Sequence, residues 1–182
     1  MRALEKYKTI SEFINSWLTI LAVIAAGLFS INEYLEHKED ERIKRSLHYV
    51  ERYSADKFID IRNNVYAKLD EENKALVKAL SDSSLSSEEL QEKYNKLILD
   101  IVDKHSLSVN IKTLFNFHEE VVLCVQTELC DEQVVRNFFN VEALELFRGF
   151  SPYVCNERKK WRNENITLRV ETFYNKTQGD IC

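Results

Sequence analysis

The sequence predicts an all-α protein built from an N-terminal transmembrane helix, a charged helical stalk and a cytoplasmic helical bundle. Its 182 residues include only 3 Gly and 1 Pro, too few for the many tight turns of a β-sandwich or barrel. Apolar residues recur at intervals of three and four along most of the chain, which is typical of amphipathic helices. The segments we expect are 1–32 for the short N-terminal segment and transmembrane helix, 33–53 for the stalk and 54–182 for the helical domain.

The transmembrane prediction rests on twenty consecutive residues without a charge, from Phe13 to Asn32. At 1.5 Å per residue, a helix of this length crosses a hydrocarbon core of about 30 Å. Ten of the twenty are Leu, Ile, Val or Phe, each of which favours insertion by roughly 0.3–0.6 kcal/mol near the membrane centre. Trp17 and Tyr34 lie near the two ends, where aromatic side chains favour the interface. These features favour a single-pass anchor.

Two other interpretations of this apolar segment stay open. One is the core helix of a soluble protein, although such helices rarely extend for twenty residues without a charge. The other is a cleaved signal peptide. Against it, the segment before the apolar stretch contains Glu5 and Glu12, and no A-x-A cleavage pattern follows it.

The basic residues beside the span predict its orientation, because the side with more Lys and Arg stays in the cytoplasm. Three lie before the span and five follow it within twenty residues, namely Arg2, Lys6 and Lys8 against Lys38, Arg42, Lys44, Arg45 and Arg52. This count favours a cytoplasmic C-terminal domain. Four of the residues that follow the span are expected to contact lipid headgroups: Lys38, Arg42, Lys44 and Arg45.

The cysteines agree with a reducing compartment. No C-x-x-C pair occurs, and the spacing is not typical of a disulfide framework or a zinc site. We therefore expect four reduced thiols, at Cys124, Cys130, Cys155 and Cys182.

Helix signals divide the rest of the chain. Ser54 is a candidate N-cap for a helix that ends near Leu80, and a Ser-rich linker then leads to a capping box of Ser86 and Glu89. A further helix from about Asn110 is apolar on most faces, so we expect it to be the buried central helix.

The C-terminal third carries more caps. Asp131 and Asn140 are candidate caps of two separate short helices, the second of which stops at Gly149. Ser151-Pro152 then opens another helix, because Pro is favoured at the first helical position. A final helix is expected near the C-terminus.

Three features of this half of the chain form a pattern. They are an N-F-x-E-like signature, an acidic pair that opens a helix, and a proline before a basic aromatic helix, at Asn116, Phe117, Glu119, Asp131, Glu132 and Pro152. They lie in the segments LFNFHEEVVLCVQTELCDEQVVRNFF and LFRGFSPYVCNERKKW. In these features the chain resembles the bacterial family catalogued as domain of unknown function 4760, over residues 33–175.

The resemblance implies an N-terminal membrane helix, a charged stalk and a cytoplasmic helical domain at the bacterial inner membrane. It implies no catalytic activity. Some small membrane proteins of this kind look like parts of bacterial phage-defence systems, so the resemblance also implies a role as a membrane effector.

Arg42 and His48 form an R-x5-H pattern within the stalk. Small helical ribonucleases use an Arg and a His at such spacing to stabilise the scissile phosphate and to act as general base. A membrane-tethered ribonuclease with these catalytic residues is therefore the alternative function. Basic residues that cluster beside a membrane produce the same pattern by chance, and the acidic domain disfavours RNA.

Two other groups of residues are candidates for binding. His118-Glu119-Glu120 lacks the second His of a zinc motif, because position 122 is Val, so we expect no metal site. Glu119 is expected to pair with an Arg or to cap a neighbouring helix, and its other candidate role is a partner contact. A basic run around Trp161 is a candidate contact for phosphates or an acidic partner, and consists of Arg158, Lys159, Lys160 and Arg162. The alternative is a solvated helix face with Trp161 packed inward.

Composition and missing motifs restrict the function. The net charge of −5 disfavours a nucleic-acid partner, because phosphate neutralisation needs an excess of Lys and Arg. No Gly-rich phosphate loop, nucleophile elbow or Cys/His pair occurs, so we expect neither an enzyme nor a cofactor. The expected function is a membrane-anchored interaction or effector module, whose partners are the lipid bilayer and either another protein or a second copy of the chain.

Overall fold

The computed structural model describes residues 2–81, 85–174 and 182, with side chains from Trp17 onward. Within these residues the chain forms six helices and no strand, so the all-α prediction is confirmed. The helices are α1 (Arg2–Tyr53), α2 (Asp56–Leu80), α3 (Ser87–Lys104), α4 (Ser108–Gln126), α5 (Glu132–Trp161) and α6 (Leu168–Tyr174).

Contacts divide the chain into two units, residues 1–41 and 42–182. The first contains the apolar part of α1, and every side chain described from Trp17 to Asp40 is exposed. An 18-residue window there has a mean hydropathy of 1.7 with none of its surface buried. The length and composition of α1 allow it to cross a membrane, and a signal sequence shares these properties. The interpretation as a buried core helix is wrong, because no described part of the chain covers these side chains.

The second unit has its own core, centred on α4. Eight side chains of α4 are buried: Ile111, Leu114, Phe115, Phe117, His118, Val121, Val122 and Cys124. Helices α2, α5 and α6 pack against α4, while α3 packs against α2 and α5. The prediction of a buried central helix is confirmed.

The helix starts show which local signals the fold uses. Ser86 and Glu89 form the predicted capping box, in which each side chain accepts a hydrogen bond from the other residue's backbone N–H. Asp131 caps α5 by accepting a backbone N–H at 2.8 Å in the first turn. The predicted cap at Ser54 is wrong, because the N-cap of α2 is Ala55, whose methyl group accepts no hydrogen bond.

Of the three short helices predicted in the C-terminal third, the first two are continuous, and a kink separates them from the third, so the predicted boundary before Pro152 is confirmed; together they form α5. The predicted cap at Asn140 is wrong, because α5 continues through it. The backbone leaves the helical conformation at Phe150 (φ −111°, ψ 15°). Pro152 accounts for the kink, since it lacks an N–H and its ring crowds the carbonyl of Arg148. The Ser151 hydroxyl donates to that carbonyl at 3.2 Å.

The four cysteines are paired, so the prediction of four free thiols is wrong. Cys124 is bonded to Cys130, and Cys155 to Cys182. The Cys124 carbonyl accepts the N–H groups of Leu129 and Cys130. The chain therefore turns back at the end of α4 and brings the first two sulfurs together, at a sequence spacing that matches no familiar motif.

Candidate functional site

Part of the predicted basic run is buried. The Arg158 side chain, only 8% exposed, donates from Nη2 to Glu171 Oε2 at 2.7 Å and from Nε to the Ile166 carbonyl at 2.9 Å. Glu171 is equally buried. A buried guanidinium that already holds a carboxylate has no free face for a partner, and removing either member would leave an uncompensated charge. Arg158 therefore fastens α6 to α5, contrary to the prediction that it contacts a partner.

The rest of the run faces solvent at the end of α5. Lys159, Lys160 and Arg162 are exposed, and Trp161 is 63% exposed. The interpretation that Trp161 packs inward is wrong, because its side chain is exposed at the last residue of α5. Helix α5 also ends directly after Trp161, where Arg162 is left-handed (φ 49°).

The carboxylate of Glu157 lies beneath the exposed indole. Its Oε2 accepts the Trp161 Nε1–H at 3.2 Å and the Lys112 ammonium at 2.5 Å. The Lys160 ammonium is 3.9 Å from the other oxygen. Burial raises the pKa of Glu157, but the hydrogen bonds from Lys112 and Trp161 outweigh this and lower it overall. The same bond raises the pKa of Lys112, so both groups are charged at neutral pH.

These residues make up what we call the Trp161 surface. Val109 belongs to it, because it lies one turn before Lys112 on the same side of α4 and is 73% exposed. The members are Val109, Lys112, Lys160 and Trp161. Two cations and two apolar side chains thus lie together around the buried Glu157 carboxylate, which is within 4 Å of both ammonium groups.

Glu119 has a structural role. Its carboxylate lies 3.5 Å from Arg169 Nη1 and accepts the Val170 N–H at 3.3 Å. This N–H is in the first turn of α6, where backbone donors lack a helical partner. The expectation that Glu119 pairs with an Arg or caps a neighbouring helix is confirmed, and its role as a partner contact stays a prediction.

Asn116 and Phe117 of the N-F-x-E-like signature lie on the face of α4 towards the end of α1 and the start of α2, whereas Glu119 faces α6. The Phe117 ring is buried and stacks on Tyr53 with 4.7 Å between ring centroids. Asn116 is exposed at the rim of an open groove, which Arg52 and Glu120 also line. Those two side chains form an ion pair of 2.6 Å across the groove.

Arg42 and His48 use their side chains differently. Arg42 is half-buried and donates from Nε and Nη2 to the Cys130 carbonyl, at 3.4 and 3.3 Å. His48 is exposed, with Nδ1 3.9 Å from Glu51. At 100° per residue, six residues turn a helix through about 600°, so the two side chains project from different sides of α1. The structure does not bring them together as a catalytic pair.

The headgroup contacts predicted in the stalk also differ among themselves. Lys38, Lys44 and Arg45 are exposed. Arg42 instead fixes the end of α1 to the loop before α5. Buried Ser46 reinforces that contact, because its hydroxyl donates to the Arg42 carbonyl at 2.9 Å and accepts the Asp131 N–H at 2.8 Å.

The His118 side chain lies in the core, among aromatic rings that the sequence did not predict as its neighbours. Its ring contacts Tyr53, Phe117, Phe139 and Tyr174, with centroid distances of 5.6 to 6.0 Å. Neither ring nitrogen has a hydrogen-bond partner among the described residues, and burial lowers the pKa of His118 to about 3. Among the described residues, no group of three His, Cys, Asp or Glu side chains is placed to hold a metal ion. His118 is therefore a neutral ring of the aromatic core.

Comparison with known proteins identifies a family but no characterised relative. The family model described as Domain of unknown function (DUF4760) matches residues 17–177. This range includes most of α1 and all of α2 to α6. No curated protein and no solved structure matches the chain.

Proposed function

The chain belongs to the family of DUF4760 proteins, and we propose that it is a non-enzymatic, single-pass membrane-anchored helical module that binds a protein partner or a second copy of itself. The exposed apolar surface of α1 carries the proposal. Eleven large apolar side chains between Trp17 and Leu35 are each at least 47% exposed. A continuous apolar surface of this length is unfavourable in water and matches the hydrocarbon core of a bilayer.

The non-enzymatic part of the proposal is supported by how the reactive side chains are used. Arg42 and Glu119 hold backbone groups of neighbouring elements, and Arg158 holds Glu171. His118 is neutral and enclosed by aromatic rings. Side chains that would serve catalysis elsewhere are thus engaged in packing and capping.

For the orientation we propose that the helical domain lies in the cytoplasm, at the inner membrane of a bacterium. The support is the count of basic residues, five after the span against three before it. The paired cysteines oppose it, because disulfides persist mainly in oxidising compartments. C-terminal fusions to green fluorescent protein and to alkaline phosphatase decide between the two. Fluorescence without phosphatase activity is expected, and the reverse pattern would place the domain on the oxidising side.

The finer proposal is that the module is a membrane effector of a bacterial phage-defence system. A trigger would cluster or release the domain, and α1 would then perturb the bilayer. Expression with and without residues 1–32 tests this: toxicity on triggering should require the full chain. Toxicity of the shortened chain would contradict it, and so would a gene neighbourhood without any defence component.

The alternative ribonuclease is tested by His48→Ala. Loss of a general base lowers the rate by 10²–10⁴-fold, so a ribonuclease phenotype would disappear, whereas the anchored module should be unaffected. The matched variant is Lys38→Gln/Lys44→Gln/Arg45→Gln, which weakens headgroup contacts and leaves the bond from Arg42 to the Cys130 carbonyl intact. A phenotype lost in His48→Ala, with the protein folded and membrane-bound, would contradict the proposal.

A further inference from the structure

We propose that the Cys155–Cys182 disulfide is a site of reversible thiol–disulfide exchange with small anionic thiols of the glutathione class. The other disulfide, Cys124–Cys130, is structural. This inference rests on the cytoplasmic placement proposed above, because a reducing compartment supplies such thiols. It also accounts for paired cysteines in that compartment, where disulfides are mostly transient.

The two disulfides differ in their access to solvent. Cys124 is 9% exposed and Cys130 is fully buried, so a thiolate reaches them only when the end of α4 opens locally. Cys182 is exposed and Cys155 is half-buried. Since the attacking thiolate must approach a sulfur atom directly, an exposed disulfide is labile while an enclosed one resists reduction. Access therefore favours exchange at Cys155–Cys182.

Arg158 is placed to stabilise a product of the exchange. Its Nη1 donates to Cys182 Sγ at 3.4 Å, while Nη2 holds Glu171 and Nε holds the Ile166 carbonyl. A hydrogen bond from a guanidinium stabilises a thiolate, and therefore a sulfur that must leave as one. The bonds to Glu171 and Ile166 involve neither cysteine, so α6 stays fastened to α5 when the disulfide opens.

Lys159 favours an anionic thiol. It is exposed and lies one helical turn after Cys155, on the same side of α5. Thiols of the glutathione class carry more carboxylates than ammonium groups, so Lys159 attracts them to the disulfide. The Glu171 carboxylate is buried in its pair with Arg158 and does not cancel this attraction.

The exchange takes two steps. A small thiolate attacks the exposed Cys182 Sγ and forms a mixed disulfide, while the bond to Cys155 breaks and leaves its electron pair on Cys155 Sγ, which takes a proton from water. A second small thiolate attacks the small-thiol sulfur of the mixed disulfide, and the electron pair passes to Cys182 Sγ beside Arg158. The protein disulfide is thus reduced and a small disulfide is formed. The reverse steps close the pair again, with the small disulfide as oxidant.

Reduction of the full chain in detergent tests which disulfide exchanges. The protein is incubated with glutathione, and the thiols formed are trapped with a maleimide polymer and assigned by peptide mass spectrometry. We expect Cys155 and Cys182 to be labelled first. Cys124–Cys130 should react at least about a hundredfold more slowly, because it reacts only in locally open states. Equal rates, the reverse order or resistance of both disulfides would overturn the inference.

Single variants test which sulfur carries the small thiol. With oxidised glutathione, Cys155→Ser should take up glutathione on the exposed Cys182. Cys182→Ser should take it up more slowly, because Cys155 is half-buried. Circular dichroism checks that both variants are folded. Uptake at equal rates would contradict attack at Cys182.

Two small thiols of different charge test the role of Lys159. Mercaptoethanesulfonate is an anion and mercaptoethanol is neutral, and both rates are normalised to reduction of a neutral small disulfide. We expect the anion to reduce Cys155–Cys182 about threefold faster, because one exposed cation attracts it in water. Lys159→Gln and high salt should remove this preference, and Lys96→Gln, at an exposed position of α3, should keep it. A preference that persists in Lys159→Gln would overturn the assignment to anionic thiols.

The fusions described above test the orientation separately. Phosphatase activity of the C-terminal fusion, together with exchange in the purified protein, would overturn the cytoplasmic placement and leave the exchange chemistry in place. Fluorescence of the fusion without exchange in the purified protein would overturn only the exchange inference.

Discussion

At the scale of single residues, burial of His118 makes the stability of the helical domain depend on acidity. The folded-state pKa is lowered to about 3 by burial, whereas an unfolded His titrates near 6.5. Between these values the unfolded chain binds a proton that the folded chain does not. The free energy of unfolding therefore falls as the pH drops from about 6.5, by up to about 1.4 kcal/mol per pH unit.

His118→Phe should remove this dependence, because Phe fills the same aromatic site and takes up no proton. We expect the loss of stability between pH 7 and pH 5 to shrink by about 2 kcal/mol relative to wild type. Denaturant unfolding of the full chain in detergent at the two pH values measures it. His48→Phe is the control, since that imidazole is exposed. An unchanged pH dependence in His118→Phe would show that another group is responsible.

The environment of a residue can be predicted when the free-energy cost of burying that residue alone determines it. A carboxylate in an apolar helix must find a partner, so the role of Glu119 follows from its position in α4. The burial of Arg158 does not follow in this way, because it depends on the pair with Glu171 of α6. That pair is separated by thirteen residues and by an irregular turn, which local periodicity cannot anticipate.

At the scale of elements, α6 is a helix of seven residues held by contacts from its neighbours. Glu119→Ala removes the cap that α4 supplies to α6 and also the pair with Arg169. We therefore expect the free energy of unfolding to fall by about 1–2 kcal/mol. Glu120→Ala, the neighbouring residue on α4, removes only a half-exposed pair with Arg52 and should cost under about 1 kcal/mol. Unfolding measurements and hydrogen exchange in α6 check this ranking, and equal effects of the two variants would contradict it.

The cysteine pairs are a second constraint on the elements. Cys155 and Cys182 are separated by 27 residues, a loop whose closure contributes about 3–4 kcal/mol in the chain-entropy description. Cys155→Ala/Cys182→Ala should lower the free energy of unfolding by that amount in oxidising buffer. In reducing buffer the variant and wild type should converge. If the reductant leaves the free energy of unfolding of the wild type unchanged, the expectation of free thiols is restored.

The continuity of α5 explains why the capping signal at Asn140 did not predict a helix start. Asn140 and the residues around it look like a boundary because Asn is favoured at N-caps. The buried stripe of α5 nevertheless passes through this position without interruption, at Val135, Phe139, Ala143 and Leu146. Packing against the core therefore outweighs the capping preference, whereas Pro152 changes the backbone itself and appears as a kink. Proline acts through covalent geometry, whereas Asn140 only offers a hydrogen bond, which packing can outweigh.

At the scale of the whole molecule, the charge-free segment can be recognised from the sequence as distinct from the helical domain. It can be recognised because membrane insertion depends on local composition, which the sequence shows directly. The ten strongly apolar residues of the span favour insertion by about 3–6 kcal/mol in total. One Asp at the centre costs roughly 2.5–3.5 kcal/mol. Since the two terms are similar, a single substitution should release much of the protein.

Ala25→Asp is that substitution, and we expect a large part of the population to leave the membrane fraction on carbonate extraction. Ala75→Asp introduces the same charge at an exposed position of α2 and should leave the membrane fraction unchanged, which separates loss of insertion from a general effect of charge. Flotation in a density gradient provides an independent readout. If Ala25→Asp stays as firmly bound as wild type, the chain is held by something other than α1. Headgroup contacts of the basic stalk residues do not account for such binding, because headgroup contacts dissociate at high salt and carbonate pH while a spanning helix does not.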